Sequence, residues 1–471
     1  MTRTSGDWRL VILLVGLTQL VITTDFSILT VALPSIGRSL RLAPSLLSLV
    51  ISAGALTGAG FLILAGRAAD IFGQRRCMLT GLTVFAAGSL MAALAPGFAV
   101  LIAARALQGL GGAILAPANF SLINTLVPEG APRHRALGVF GIMQGLSLIV
   151  GLLLGGALTT RFGWRADFLL NPPIVAAAIA LTLRAVPPVA RKIGAEASID
   201  TLGAVLISAG TACLLVAISL AGRLGAGSAV AWALLATSLA AFAAFWVVEG
   251  RVARPLAPPS LFRRRNFAAA TAVGGLHLAG VGGLFVLISL YMQTGLHLSA
   301  FASGLGMMPY AASVILAGQI APAAMARFPR RTVVWFGFAI YLAGLVLLAA
   351  NSGRGSYMTA VAPWSVICAF GSLLSFVALM GEATADVPAD QQGVASAILF
   401  TVQQIGVPLG AAVALSVLAS GGRGEGGISL RLFGIAYAAT AGLVGVGFLV
   451  ALAGLRPAMA PLAAPAPHPR T

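Results

Sequence analysis

Charge is in short supply in this chain. Only 9% of its 471 residues are Asp, Glu, Lys or Arg, against about 25% in a soluble domain, while 59% are hydrophobic and the mean hydropathy is +0.99. A water-soluble globular protein is excluded. Cysteine is scarce as well. Cys77, Cys213 and Cys368 are scattered in or beside apolar runs, which excludes a disulfide framework and a thiolate metal cluster. The four histidines, His134, His277, His297 and His468, are dispersed. The clustered acids, bases or ligands of an enzyme are missing, and no metal or cofactor is expected. The one lysine, Lys192, follows Arg191 rather than a glycine. Without a G-K-[ST] sequence there is no P-loop, and ATP-driven pumping is excluded.

What the chain has is long apolar sequence. Runs near 10–33, 45–66, 77–96, 99–126, 136–159, 167–186, 201–221, 229–248, 268–291, 303–325, 332–350, 358–381, 394–418 and 430–455 each approach the roughly 20 residues that cross a bilayer. The expectation is an all-α integral membrane protein with 14 transmembrane helices. The first run is too long for a signal-peptide core and carries a carboxylate, so it reads as the first span. Pro34 marks the expected end of that span, because proline cannot continue a helix without losing a backbone hydrogen bond. The sequence LAPG at 94–97 reads as a tight hairpin between spans 3 and 4.

Basic residues set the orientation. With the N-terminus in the cytoplasm, 20 of the 29 Lys and Arg fall on the cytoplasmic side and 8 on the other, and Arg105 alone is embedded. Both termini are therefore expected inside. The net charge of +17 is spread over short loops on one membrane face, which argues against nucleic acid as a partner. The run Arg263–Arg265 reads as an anchor beside anionic lipid.

An arginine within an apolar span costs roughly 2.5–3.5 kcal/mol on insertion scales, so Arg105 needs a partner. Ten acids fall in loops or at span ends, Glu382 sits at the cytoplasmic end of span 12, and only Asp25 lies well inside a span. Asp25 is about 22 Å in from the cytoplasmic start of its helix at 1.5 Å per residue. Arg105 is roughly 10 Å in from the opposite face of a hydrocarbon layer about 30 Å thick. The two heights agree. Asp25 and Arg105 are thus expected as neighbours around one polar cavity. Asp25 is the exchangeable proton site, and Arg105, which does not titrate in any useful range, is its electrostatic partner. A static ion pair is the other reading of the same two residues.

The loop GRAADIFGQRR at 66–76 resembles the signature between spans 2 and 3 of the major facilitator superfamily, with Gly66, Asp70, Gly73, Arg75 and Arg76 matching it. RALQGLGGA at 105–113 is similar to the span-4 signature, in which Arg105 matches the buried arginine. DFSILTVALP (25–34) resembles the span-1 signature of drug:proton antiporters. FGWRADFLLNPP (162–173), YMQTGLHLSAFASGLGMMP (291–309) and GVASAILFTVQQIGVPLG (393–410) resemble the branch with 14 spans.

The resemblance implies a major facilitator fold of two six-helix bundles, 1–186 and 267–456, with the polar cavity of Asp25 and Arg105 between them. Two extra linker helices and a cytoplasmic loop would occupy 187–266, with a Pro/Ala-rich disordered tail at 457–471. It also implies proton-coupled export of drugs or antibiotics by alternating access, from a monomer in a bacterial inner (cytoplasmic) membrane. One departure stands out. The family's span-5 signature G-P-x-x-G-G reads GLLLGG here, with Leu152 in place of proline and Gly151, Gly155 and Gly156 kept as close-packing positions. That departure keeps open uncoupled or uptake transport of a small metabolite on the same fold. With a single embedded acid the expected substrate is bulky and mostly apolar, neutral or singly charged. Gln19, Asn119, His277 and Gln403 are candidate cavity-lining polar groups.

Overall fold

The computed structural model describes residues 8–455 except 44–45, 48, 56, 59–60, 62–64, 66–71, 129–130, 189–200, 226, 253–254, 354–355, 386, 388–391 and 421–428. Among the described residues all regular structure is helical. The first half contains α1 (Trp8–Ser39), α2 (Gln74–Ala93), α3 (Phe98–Leu126), α4 (Ala131–Phe162), α5 (Trp164–Leu169) and α6 (Asn171–Ala185). Next come α7 (Thr201–Leu224) and α8 (Ala229–Glu249). The second half contains α9 (Arg265–Leu290), α10 (Ala300–Gly306), α11 (Met308–Arg327), α12 (Arg330–Asn351), α13 (Ala362–Ala385), α14 (Gln392–Ser420) and α15 (Leu430–Gly454). α5 with α6, and α10 with α11, each form one bent rod. The first bends just before Pro172 and Pro173, and the second just before Pro309, where a proline opens the second segment.

Among the described residues eleven of these rods are long and apolar enough to cross a bilayer, and α4 and α7 carry the further apolar stretches Leu146–Phe162 and Leu202–Ile218. The expected second span is described only in part, with helical backbone at 46–47, 49–55, 57–58, 61 and 65. In lipid every backbone amide must be satisfied internally, and an uninterrupted helix does so within its own segment.

α1 corrects one expectation. It does not stop at Pro34 but runs five residues further, to Ser39. A donor from the other half of the chain replaces the hydrogen bond that the proline deletes.

Helix faces sort by the size of their side chains. Trp232, Leu239, Phe336 and Leu449 point outward, as they should where the solvent is hydrocarbon. Glycine, alanine and serine line the contacts between helices, because packing in lipid relies on close approach rather than hydrophobic exclusion. α9 and α14 meet most tightly. A Cβ on Gly410 would collide with the carbonyl of Ala279, and one on Gly406 with the carbonyl of Gly275.

Within the first half, α1 packs against α4, α6 and α3, and α2 against α3 and α6. Within the second, α9 packs against α14 and α15, and α12 against α13 and α15. α7 and α8 form a hairpin whose first helix leans on α14. The halves meet through α1 with α9 and through α4 with α10 and α11. At that end one apolar core runs through both halves, from Leu29, Leu33 and Leu152 to Leu284, Leu287 and Met307. A separate core, built on Leu14, Met78, Leu122 and Val175, belongs to the first half alone.

Candidate functional site

Asp25 lies mid-way along α1 and is 7% exposed; Arg105 on α3 is 5% exposed. Arg105 Nη1 donates to Asp25 Oδ2 at 2.5 Å and to Gln108 Oε1 at 2.7 Å, and Arg105 Nε donates to the Val50 carbonyl at 3.3 Å. The second carboxylate oxygen is also held. Asp25 Oδ1 accepts from Gln108 Nε2 at 2.9 Å and from Asn171 Nδ2 at 3.1 Å. Both amides share the hydroxyl of Ser89, at 2.8 Å and 3.2 Å. The Phe168 ring closes the guanidinium side, with its centroid 6.0 Å from the carbon of the guanidinium.

This arrangement answers the cost of a buried charge. A carboxylate and a guanidinium away from water are tolerable only when they are paired and their remaining lone pairs and protons are bonded. Here α2, α3, α6 and the helical stretch that carries Val50 supply neutral donors and acceptors to do that. The network is built wholly from the first half: α1, α2, α3, α6 and the helical stretch that carries Val50. The expected position between the two bundles is therefore corrected, and the pair sits inside one of them. The agreement in height, by contrast, corresponds to direct contact.

Sequence reasoning does not single out Gln108, Asn171 and Ser89. Gln108 is three residues after Arg105, hence on the same helix face, and a neutral amide one turn from an embedded charge was the available signal. Asn171 follows the bend between α5 and α6, and nothing local shows that it reaches Asp25.

Proximity to a span end also proves a poor guide to solvation. Asp167 is 1% exposed and accepts the hydroxyl of Thr159. Glu249, equally buried, accepts the amide of Ala257 at 2.8 Å, and Glu382 is 5% exposed. Asp167 is reached from α4 and Glu249 from the segment after α8, contacts that hydropathy does not reveal.

The loop signature is only partly described, since Gly66 and Asp70 lie outside the described residues. Gly73 has φ 87°, a conformation that costs other residues strain, and it turns the chain into α2. Arg75 reaches the Leu183 carbonyl at 3.2 Å, and Arg76 is exposed. Both line a shallow recess with Phe72, Leu79 and Pro188.

The span-5 glycines face two ways. A Cβ on Gly151 would strike Ser27 and come within 2.9 Å of the Thr24 carbonyl, and one on Gly155 would meet Ile28, both on α1 beside Asp25. One on Gly156 would come within 2.8 Å of the Ala300 carbonyl in the other half. α4 runs unbroken through Leu152.

The four candidate cavity residues are not gathered into one constellation. Gln19 donates to Thr23 on its own helix at 2.8 Å. His277 is enclosed by the rings of Phe338, Tyr341 and Phe376 at 5.4, 5.5 and 5.7 Å, with Nε2 3.1 Å from Ser372 Oγ. Gln403 makes a long contact, 3.4 Å, with the sulfur of Met380. Asn119 is fully buried, and neither of its amide atoms has a hydrogen-bond partner among the described residues. Removing an unsatisfied polar group while keeping its shape is neutral or stabilising, by up to about 1–3 kcal/mol. Asn119→Leu is therefore expected to hold or raise the melting temperature of the purified protein. A clear drop would show that the amide serves a bound water or ligand on which the fold depends.

A many-span helical protein in two halves, joined at one end and holding an ion pair inside the first, has the architecture of a membrane transporter. The chain belongs to the Major Facilitator Superfamily, whose family model matches residues 15–411. It is 34% identical to the cephamycin export protein of Amycolatopsis lactamdurans over 94% of this chain and 90% of that one. It is also 34% identical to the puromycin resistance protein of Streptomyces alboniger, over 86% and 80%. A crystal structure of a peptide transporter superposes with a TM-score of 0.67 at 18% identity, covering 95% of this chain and 96% of that one, a likeness of fold. Family membership makes the chain a transporter rather than an enzyme.

Proposed function

We propose that the protein is a proton-coupled exporter of bulky, mostly apolar drugs or antibiotics. It works by alternating access, with Asp25 as proton carrier and Arg105 as its electrostatic partner. The observation that carries this reading is the buried contact between Asp25 and Arg105, in a chain whose relatives are named for antibiotic export and resistance. The scaffold we assign has fourteen spans in a bacterial inner membrane, both termini in the cytoplasm, and the protein acts as a monomer. Its bundles are 1–186 and 267–456, with 187–266 as linker helices and 457–471 as a tail.

The chemistry follows from the network. The ionised carboxylate accepts from one guanidinium and two amides, and charge-assisted bonds of this kind are about twice as strong as neutral ones. Taking up a proton removes the charge, so the hold of α3 and α6 on α1 weakens while Arg105 keeps Gln108 and Val50 as acceptors. Phe26, next to Asp25, turns to the other half: its ring lies 6.3 Å from that of Phe285, which packs edge-on against Tyr310 at 5.0 Å. An apolar substrate pressing on Phe26 and a proton on Asp25 thus act on adjacent residues of one helix.

The test is proton release from acid-loaded proteoliposomes on adding lipophilic antibiotics and dyes. Wild type should release protons with substrate, and Asp25→Asn should not. Equal substrate flux in both proteins with no proton signal would refute the coupling. It would instead favour uncoupled or uptake transport, the reading that Leu152 and the unbroken α4 support.

A further inference from the structure

The continuation of α1 through Pro34 leaves a specific debt. In an α-helix the carbonyl of residue 30 accepts from the amide of residue 34, and proline has no N–H to give. Thr30 is 2% exposed, so water is not at hand either, and a buried carbonyl without a donor is costly. The donor comes from the other half. Ser289 Oγ, at the end of α9, donates to the Thr30 carbonyl at 2.8 Å. One turn later Gln293 Nε2 donates to the Val31 carbonyl at 3.0 Å and to Ser289 Oγ at 3.1 Å. Gln293 lies in a π-helical turn, Tyr291–Gly295, that follows α9, and such turns are frequent at functional positions.

The contrast with other hydroxyls is informative. Thr18, Ser89 and Thr182 turn back to the carbonyl four residues earlier on their own helices, the usual choice for a hydroxyl in a helix. Ser289 reaches across instead. Both Ser289 and Gln293 are buried, at 1% and 5% exposure.

We infer that Ser289 and Gln293 are positioning residues of the transport cycle: Ser289 clasps the Thr30 carbonyl freed by Pro34, Gln293 braces Ser289 and bonds the next carbonyl, that of Val31, and together they hold the two halves shut at this end. The inference rests on the alternating-access reading above. When the halves part here, Thr30 loses its donor and the opening must let water in to replace it. The clasp engages α1 five and six residues after Asp25, so whatever reseats α1 at the proton site is felt at the clasp through one continuous helix.

The experiment is single-molecule FRET on the full chain in nanodiscs, without substrate. Non-cysteine labels go at Leu94 and Met358, exposed residues of the two halves at this end. Loss of one net hydrogen bond corresponds to a population change of about fivefold. Ser289→Ala and Gln293→Leu should each raise the ratio of separated to closed molecules by about that factor. Pro34→Ala supplies the missing N–H within α1, so adding Ser289→Ala to it should change the ratio less than about twofold.

An undiminished effect of Ser289→Ala in the Pro34→Ala background overturns the clasp, as does an unchanged ratio in both single variants. If Pro34→Ala does not yield folded protein, the two single variants decide. No proton or drug enters the measurement, so its failure is separate from failure of the coupling assay.

Discussion

Replacing Arg105 by methionine is expected to cost about 3–5 kcal/mol of stability, the usual consequence of removing one member of a buried ion pair. Methionine keeps the length and packing of the side chain against Phe168, so the loss reports charge and hydrogen bonding rather than a cavity. What remains is a buried Asp25 carboxylate with only amide donors. The same substitution in an Asp25→Asn chain should cost far less, because no uncompensated charge is left behind. Unfolding midpoints in detergent for the four combinations form a double-mutant cycle. Equal cost of Arg105→Met in both backgrounds would refute an energetic pair. Arg105→Lys should recover only part of the loss. An ammonium carries charge but cannot place donors in the guanidinium's fixed fork toward Asp25, Gln108 and Val50 together.

Gly410→Ala is expected to be severely damaging although it adds a single methyl group. The added Cβ would overlap the carbonyl of Ala279. That obstacle is backbone, so no rotamer change relieves it and α9 must move off α14. Overpacking costs about 1–3 kcal/mol and occasionally more, and a rigid obstacle puts this substitution at the upper end. Gly442→Ala on α15 is the control. Its Cβ would meet nothing within 4 Å, and alanine is better than glycine in a helix by roughly 0.5–1 kcal/mol. The yield of monodisperse protein after extraction should fall for Gly410→Ala and hold for Gly442→Ala. Similar yields would mean that α9 and α14 do not approach as closely as their glycines indicate.

Asp25 and Arg105 could be matched from sequence because ionisable residues are so few inside the spans and helical rise is fixed. Counting residues from each membrane face was enough to put the two at one height. The same arithmetic is blind to direction around the helix axis. It could not tell that the pair faces the interior of the first half, with Ser89, Gln108 and Asn171 around it, rather than a space between halves. Burial of Asp167, Glu249 and Glu382 was hidden for a related reason. Hydropathy says where a residue lies along the membrane normal and nothing about the turn or helix that covers it.

By itself the sequence determined the class, the approximate extent of most helices and the identity of the acid and base that pair, because the hydrocarbon layer imposes length, composition and charge rules on each segment separately. Only the tertiary structure decided what those segments do to one another. Pro34 is the clearest case. Read along the chain it ends a helix, since its missing N–H leaves the Thr30 carbonyl without a donor. In the folded protein α1 continues to Ser39, because Ser289, 259 residues away in sequence, makes that bond from the other half.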